Sequence, residues 1–373
     1  MNPQTVFCPN VECPARGQKD KGNIKVHSQA EKRYACTECD TTFRTTKGTL
    51  FYRLKTDSVT VMLVLTLLAY GCPRPAIVKA FGFDERTIKQ WWQRAGAHCE
   101  AVHEGIVGQS QLDLVHVQAD EIKVKTQGGS VWMAFAMMVP TRLWLGGAVS
   151  ERRDKKLIQQ VADKIRQIAL CRPLLLAVDG LASYVGAFQR AFRSPLPRWG
   201  KGGRCRLVAW QAIAIVQVVK QRSTADFKIE RRIVQGGKAM VERLLTQSRG
   251  GNCINTAYIE RLNATFRQRL SALSRRTRHL ARQTETLAAG MYIVGCAYNL
   301  CENHKSLRLR LSVGSRGYRW VQRTPAIATG LTDHLWSMDE LWSYPVPPPP
   351  WTPPKRRGRP SRETLLAIEK WCT

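Results

Sequence analysis

The pattern of apolar and polar positions divides the chain into regions of different texture. Residues 1–50 are polar and carry two close pairs of cysteines. Residues 58–97 read as short helices. An apolar stretch runs from Val59 to Tyr70, and Gly71-Cys72-Pro73 breaks it. A second helix follows from Arg74 to Ala80, then a turn at Gly82-Phe83. A third runs from Glu85 to Ala95, with Asp84 placed to cap it. Short helices joined by a glycine-containing turn form a helix-turn-helix layout. Residues 112–310 alternate strands and helices, and residues 311–344 extend them. From 345 to 373 the chain is proline-rich and then basic, as linkers and tails are.

Within 112–310 the periodicity predicts a meander of three strands. These are Leu114 to Val124, Val131 to Val139 and Arg142 to Val149, with turns at Gln127-Gly128-Gly129 and Pro140-Thr141. Asp154 then caps an amphipathic helix to Ala169, whose apolar positions Leu157, Ile158, Val161, Ile165 and Ile168 follow helical spacing. Leu174 to Val178 is short and wholly apolar, as a buried parallel strand is. A helix from Tyr184 to Phe192, a strand from Leu207 to Val219, and long helices from Ile259 to Arg275 and Glu285 to Cys301 complete the series. This order predicts an α/β fold: an RNase H-like mixed sheet flanked by helices, with an elaborated segment over 193–250.

Charge narrows the partners. Lys and Arg number 58 against 28 Asp and Glu, a net charge of +30. Such an excess is self-repelling, and a polyanion relieves it with release of counterions. Nucleic acid is the leading candidate, expected as double-stranded DNA, and an anionic membrane surface is the weaker one. No apolar run reaches membrane-spanning length and the first residues lack the pattern of a signal peptide. A cytoplasmic, nucleoid-associated protein without a membrane partner is expected.

Cys8 and Cys13 form C-x4-C, and Cys36 and Cys39 form C-x2-C. Two such pairs fit a zinc ribbon with a structural Zn²⁺, because each turn supplies two ligands of a tetrahedron. The other eight cysteines are scattered and are expected to be buried free thiols. On the third helix, Arg86, Lys89, Gln90, Gln93 and Arg94 are side chains that read base edges or hold phosphate. Lys355-Arg356-Arg357-Gly358-Arg359-Pro360 resembles an AT-hook, in which Arg357 and Arg359 would enter a narrow minor groove. A basic tail for any polyanion is the equal alternative.

Three carboxylates stand out. Asp120 lies in the first strand, sharing a face with His116 and Gln118, while Glu121 faces the other way. Asp179 follows the apolar strand, where it could equally cap a turn. Glu260 opens a helix, where it could simply offset the macrodipole. Asn263 and Arg267 follow it on the same face. Glu121 rivals Asp120, and Asp226, Glu230 and Glu242 rival Glu260.

Asn255-Thr256-Ala257-Tyr258-Ile259-Glu260-Arg261-Leu262-Asn263-Ala264-Thr265-Phe266-Arg267 resembles the last catalytic block of DDE-type insertion-sequence transposases of the insertion sequence one kind. Tyr298 to Arg308 resembles the helix end that follows it, and Cys8-Pro9-Asn10 to Thr49 resembles their N-terminal zinc ribbon. The resemblance spans roughly residues 5 to 310. It implies Asp120, Asp179 and Glu260 as the catalytic acids, holding Mg²⁺ or Mn²⁺. It also implies binding to terminal inverted repeats, strand nicking by water, and attack of the freed 3′-hydroxyl on target DNA. Two ends must be held together, so it implies a homodimer or larger assembly. A non-catalytic DNA-binding protein and a structure-specific nuclease on the same core are the alternatives.

Overall fold

The computed structural model describes residues 1–196, 205–222, 227–274, 280–313, 317–352 and 361–371. The chain forms two compact units, residues 1–48 with 347–373, and residues 49–346. The AT-hook-like segment with Arg357 and Arg359 lies outside the described residues, as do Asp226, Cys372 and residues 197–204 of the elaborated segment.

The smaller unit holds an antiparallel sheet of β1 (Ile24–Ser28), β2 (Arg33–Cys36) and β3 (Thr42–Arg44). Its core comprises Cys8, Cys13, Ala15, Ile24, Tyr34, Cys36 and Phe43. So small a core supplies little burial free energy. The guanidinium of Arg16 donates to the carbonyls of Pro349 (2.6 Å) and Pro350 (2.8 Å), tying the later stretch of this unit to the ribbon.

The larger unit begins with α1 (Ser58–Ala69), α2 (Arg74–Phe81) and α3 (Glu85–His103). Asp57 caps α1 through the Thr60 amide (3.0 Å), and Asp84 caps α3 through the Arg86 amide (2.7 Å). Gly82 sits at φ +71°, a conformation that favours glycine and ends α2. The third helix does not stop at Ala95, as its sequence predicts, but continues to His103. Gly96, the residue after the predicted end, does not stop the helix, because the second half buries Ala95, Cys99 and Val102 in the core shared with a later helix, α8 (Thr284–Cys296). A Cβ on Gly96 would fall 2.3 Å from the Cβ of Ala289, so glycine permits this close crossing.

The sheet follows. β4 (His116–Thr126), β5 (Gly129–Met138) and β6 (Trp144–Ser150) form the meander, and α4 (Lys155–Ile168) is capped by Asp154 on the Leu157 amide (2.9 Å). Next come β7 (Leu174–Asp179), α5 (Ala182–Ala191), a small hairpin of β8 (Arg193–Pro195) and β9 (Leu207–Ala209), β10 (Ile213–Arg222), β11 (Phe227–Gln235), α6 (Lys238–Ser248) and α7 (Ala257–Arg269). Strand order is β11-β10-β7-β4-β5-β6. β7 runs parallel to both β4 and β10, and the remaining neighbours are antiparallel. One face packs on α4 and α5. The other packs on α3, α7 and α8, with α6 over its β7–β10 end.

The single strand predicted from Leu207 to Val219 is two, β9 and β10. Trp210 turns inward between them, stacking edge-on against Phe192 (5.3 Å) and donating to Ser194 Oγ (2.8 Å). The predicted helix Ile259–Arg275 ends at Arg269, and Glu285–Cys301 runs as α8 into a single wide turn over Ala297–Cys301. Among the scattered cysteines Cys99 and Cys296 are buried, but Cys171, Cys205 and Cys253 are exposed, contrary to expectation. They lie in loops or at their margins, outside every helix and strand, where no packed layer covers them. No helix among the described residues is long and apolar enough to cross a membrane.

Candidate functional site

Strand alternation places Gln118, Asp120 and Ile122 toward α7, and Val117, Ala119 and Glu121 toward α4 and α5. In the parallel pairing of β4 and β7, Gln118 is level with Ala177, so two residues further on Asp120 is level with Asp179. The two aspartates therefore stand side by side on adjacent strands, at the end of β7 where the sheet opens to solvent. Carboxylate oxygens of Asp120, Glu121 and Asp179 lie within 4.8 Å of one another. Glu260 enters from α7. It lines one cleft of about 690 Å³ with Asp120 and Asp179, beside Arg153, Lys220, Asn263 and Arg267.

The placement of Glu260 has an identifiable cause. Gln118 is fully buried, and its Oε1 accepts from the amides of Tyr258 (3.1 Å) and Ile259 (3.0 Å), while its Nε2 donates to the Asn255 carbonyl (2.8 Å). The first amides of a helix have no partner within it. Gln118 supplies one from β4 and so clamps the start of α7 two residues from Asp120. One turn beyond Glu260, Asn263 Nδ2 donates to Asp120 Oδ2 (2.8 Å). In the sequence Gln118 is marked only by sharing a face with Asp120; the helix it clamps is more than a hundred residues away.

The acids load the site with negative charge. Burial, the neighbouring charges of Glu121 and Asp179, and more weakly that of Glu260, push Asp120 up to about 7. Burial and Asp179 raise Glu121 too, though Tyr184 and Arg153 offset part of that. The hydroxyl of Tyr184 donates to Glu121 (2.8 Å), and Arg153 is ion-paired with Glu121 and with Asp179 (3.2 Å to the latter). Burial opposes ionisation of Glu260, but the Lys220 ammonium and the Thr256 hydroxyl (2.8 Å) outweigh it and hold this carboxyl below its usual range. Asp179 also serves as the turn cap its sequence position allows, accepting from the Leu181 amide (3.0 Å).

The donor set fits a hard divalent cation, which takes oxygen ligands and relieves this repulsion. Both oxygens of Glu121 are engaged by protein groups, whereas Asp120 faces the cleft. Asn263 also keeps a buried amide oxygen without a protein partner beside Asp120. Of the rival acids, Glu230 is paired with Arg232 (2.6 Å) on β11 and Glu242 with Lys238 (3.9 Å) on α6, and neither lines the cleft.

A consequence for pH follows from Asp120. Its folded pKa lies above the ordinary carboxylate value, so the folded state holds the proton more tightly than the unfolded one. Stability is therefore lost as pH rises from the ordinary value toward about 7. Asp120→Asn, which cannot ionise, is expected to gain on the wild-type protein by about 1–3 kcal/mol between pH 5 and pH 8. Thermal unfolding in buffer without added divalent ions measures this. A stability difference that does not change with pH would contradict a raised Asp120.

The four ribbon cysteines form the second cluster and can hold a metal ion. The sulfurs of Cys8 and Cys39 are 3.7 Å apart and those of Cys13 and Cys36 3.9 Å. A tetrahedron of sulfurs about 2.3 Å from zinc has edges of about 3.8 Å. Asn23 Nδ2 donates to Cys36 Sγ (3.2 Å), support of the kind a thiolate ligand takes. Burial works against a thiolate at Cys39, yet hydrogen bonds from Thr41 and Asn10 outweigh it and bring its pKa down to about 6. His27 is exposed and stands apart from the cluster.

On α3, Arg86, Gln90 and Gln93 are exposed along one stripe and Lys89 is half-buried beside it. Arg94 differs. Its guanidinium donates to the carbonyls of Leu50 (2.7 Å) and Tyr52, so it fastens the preceding segment to α3. Trp91 packs edge-on against Phe83 (4.9 Å) and Trp92 donates to the Thr286 carbonyl (3.2 Å), so both tryptophans face the core. Comparison of the chain with protein families and with curated proteins finds no match.

Proposed function

We propose that the chain is a DDE-type DNA transposase built on an RNase H-like core. The observation that carries this reading is the convergence of Asp120, Asp179 and Glu260, from two parallel strands and a distant helix, on one open cleft. The sheet supports it. Strands β6-β5-β4-β7-β10 have the order 3-2-1-4-5 of an RNase H-like sheet, with β11 added at the edge.

In this reading Asp120, Asp179 and Glu260 hold two Mg²⁺ or Mn²⁺ ions. Paired divalent ions activate the attacking oxygen and stabilise the leaving one in phosphodiester cleavage. Asn263 orients Asp120, and Gln118 keeps α7 at its distance from β4. Arg153 and Lys220, which neutralise the acids in the free protein, are the cations placed to meet the scissile phosphate. Zn²⁺ in the cysteine cluster is structural, since four protein ligands leave no open position. The exposed stripe of Arg86, Gln90 and Gln93, with Lys89, reads the element ends. A homodimer or larger assembly in the cytoplasm, on the nucleoid, holds two ends together.

The reading is tested by incubating the protein with duplex DNA made from the sequences that flank its gene on either side, and with Mg²⁺. Nicking at the boundary of a terminal inverted repeat to leave a 3′-hydroxyl, followed by joining to a second duplex, is expected. Binding of the same DNA without metal-dependent cleavage would leave a non-catalytic DNA-binding protein, to which the charge of +30 points on its own.

A further inference from the structure

The segment after α8 contains an element that the core does not use. β12 (Leu309–Val313) and β13 (Gly317–Val321) pair antiparallel as a separate two-stranded sheet. Every residue of both strands is exposed. Isolated two-stranded hairpins are marginal in water, and exposed aromatic and apolar residues in a cluster mark a surface that meets a partner.

The register defines two faces. Arg310 stands opposite Trp320, and Ser312 opposite Tyr318. On this face the Arg308 guanidinium lies 3.9 Å over the Trp320 ring and that of Arg310 lies 4.1 Å over Tyr318. The two rings meet edge to face at 5.7 Å. The result is two guanidinium–ring pairs joined by an edge-to-face contact between the rings. The other face carries Leu309, Leu311 and Arg319.

The root is fixed. The His304 amide donates to the Arg323 carbonyl (3.0 Å), and Arg323 Nε donates to the Leu307 carbonyl (2.7 Å), with Leu307 and Thr324 buried. Over residues 303–332 the chain has six Lys or Arg and no Asp or Glu. A rooted basic ribbon with outward-facing arginines complements a polyanion. A two-stranded ribbon fits the major groove of duplex DNA. Arginine stacked on an aromatic ring keeps its outward N–H donors for phosphate.

We propose that the β12–β13 hairpin is a DNA-gripping arm, which lays the Arg308–Trp320–Arg310–Tyr318 face along duplex DNA. The inference rests on the reading of the chain as a DNA-acting protein and adds a contact surface separate from the cleft and from α3.

The test is duplex-DNA binding by fluorescence anisotropy across a salt series. It uses the full chain, the triple variant Arg308→Ala/Arg310→Ala/Trp320→Ala and the double variant Arg308→Lys/Arg310→Lys. All three positions are at the surface, so the variants should unfold at the wild-type temperature, which circular dichroism checks. The triple variant is expected to bind about tenfold or more weakly near physiological salt. Its slope of log affinity against log salt should be lower by about 2, the loss of two phosphate contacts. The lysine variant should keep the wild-type slope and lose affinity, because lysine holds charge without the planar fork. Wild-type affinity and slope in the triple variant would overturn the arm. The same result with a change in oligomeric state would assign the hairpin to contact between copies instead. Failure of the wild-type protein to bind duplex DNA would overturn both the arm and the transposase reading.

Discussion

Alanine at Asp120, Asp179 or Glu260 is expected to lower metal-dependent strand cleavage by about a thousandfold or more, a loss of roughly 4 kcal/mol in transition-state stabilisation. Binding of the same duplex should stay near the wild-type level. The reason is geometric. Asp120 and Asp179 are level on adjacent parallel strands, and Glu260 faces them across the cleft. None of the three belongs to the exposed stripe of α3. Glu121 is the informative control. It lies within 4.8 Å of both aspartates, whereas Glu260 stands outside that group. Yet its oxygens are held by Tyr184 and Arg153, so Glu121→Gln should keep measurable cleavage. An inactive Glu121→Gln beside an active Glu260→Ala would move the third ligand to β4 and contradict the assignment made here.

Cys36→Ser is expected to release the ribbon's metal ion and unfold residues 1–48. The small unit buries few apolar side chains, and its four cysteine sulfurs lie within 4.8 Å of one another, two pairs of them at the 3.7–3.9 Å edge of a tetrahedral zinc site. Binding a structural zinc ion is worth about 10–16 kcal/mol in small ribbons and fingers, so folding and metal binding are there one event. In the full-length chain, limited proteolysis should remove the N-terminal residues of the variant and spare residues 49–346, a separate compact unit. Metal analysis should show one zinc ion fewer per chain. A variant that keeps its zinc and its resistance to protease would remove the metal from the account of this unit.

Much of this architecture is legible in the residues, for local reasons. Asp154 and Asp84 precede helical periodicity and do cap helices. The apolar run Leu174–Val178 is a strand between two parallel neighbours. Alternation along β4 separates Asp120 from Glu121 as expected. The failures have tertiary causes. The end of α3 is set by α8, about two hundred residues away, and its own periodicity weakens where Gly96 and Ala95 meet that helix. β11 falls inside the segment that the sequence marks only as elaborated, because its apolar residues are few, those described are exposed, and the strand is secured instead by its ladder to β10. Arg94 looks like a base-reading side chain until the carbonyls of Leu50 and Tyr52 are seen against it. In the cleft, the acids were visible one by one. Their convergence depends on Gln118 and the amides of Tyr258 and Ile259, a contact that no spacing encodes.

The most direct test of the shared metal site is a crystal of the protein soaked in Mn²⁺ and measured at the manganese absorption edge. Anomalous peaks bridging Asp120 and Asp179, with one in reach of Glu260, are the expected result. Manganese bound elsewhere on the surface, with no peak in the cleft, would contradict the claim that these carboxylates form one catalytic metal centre.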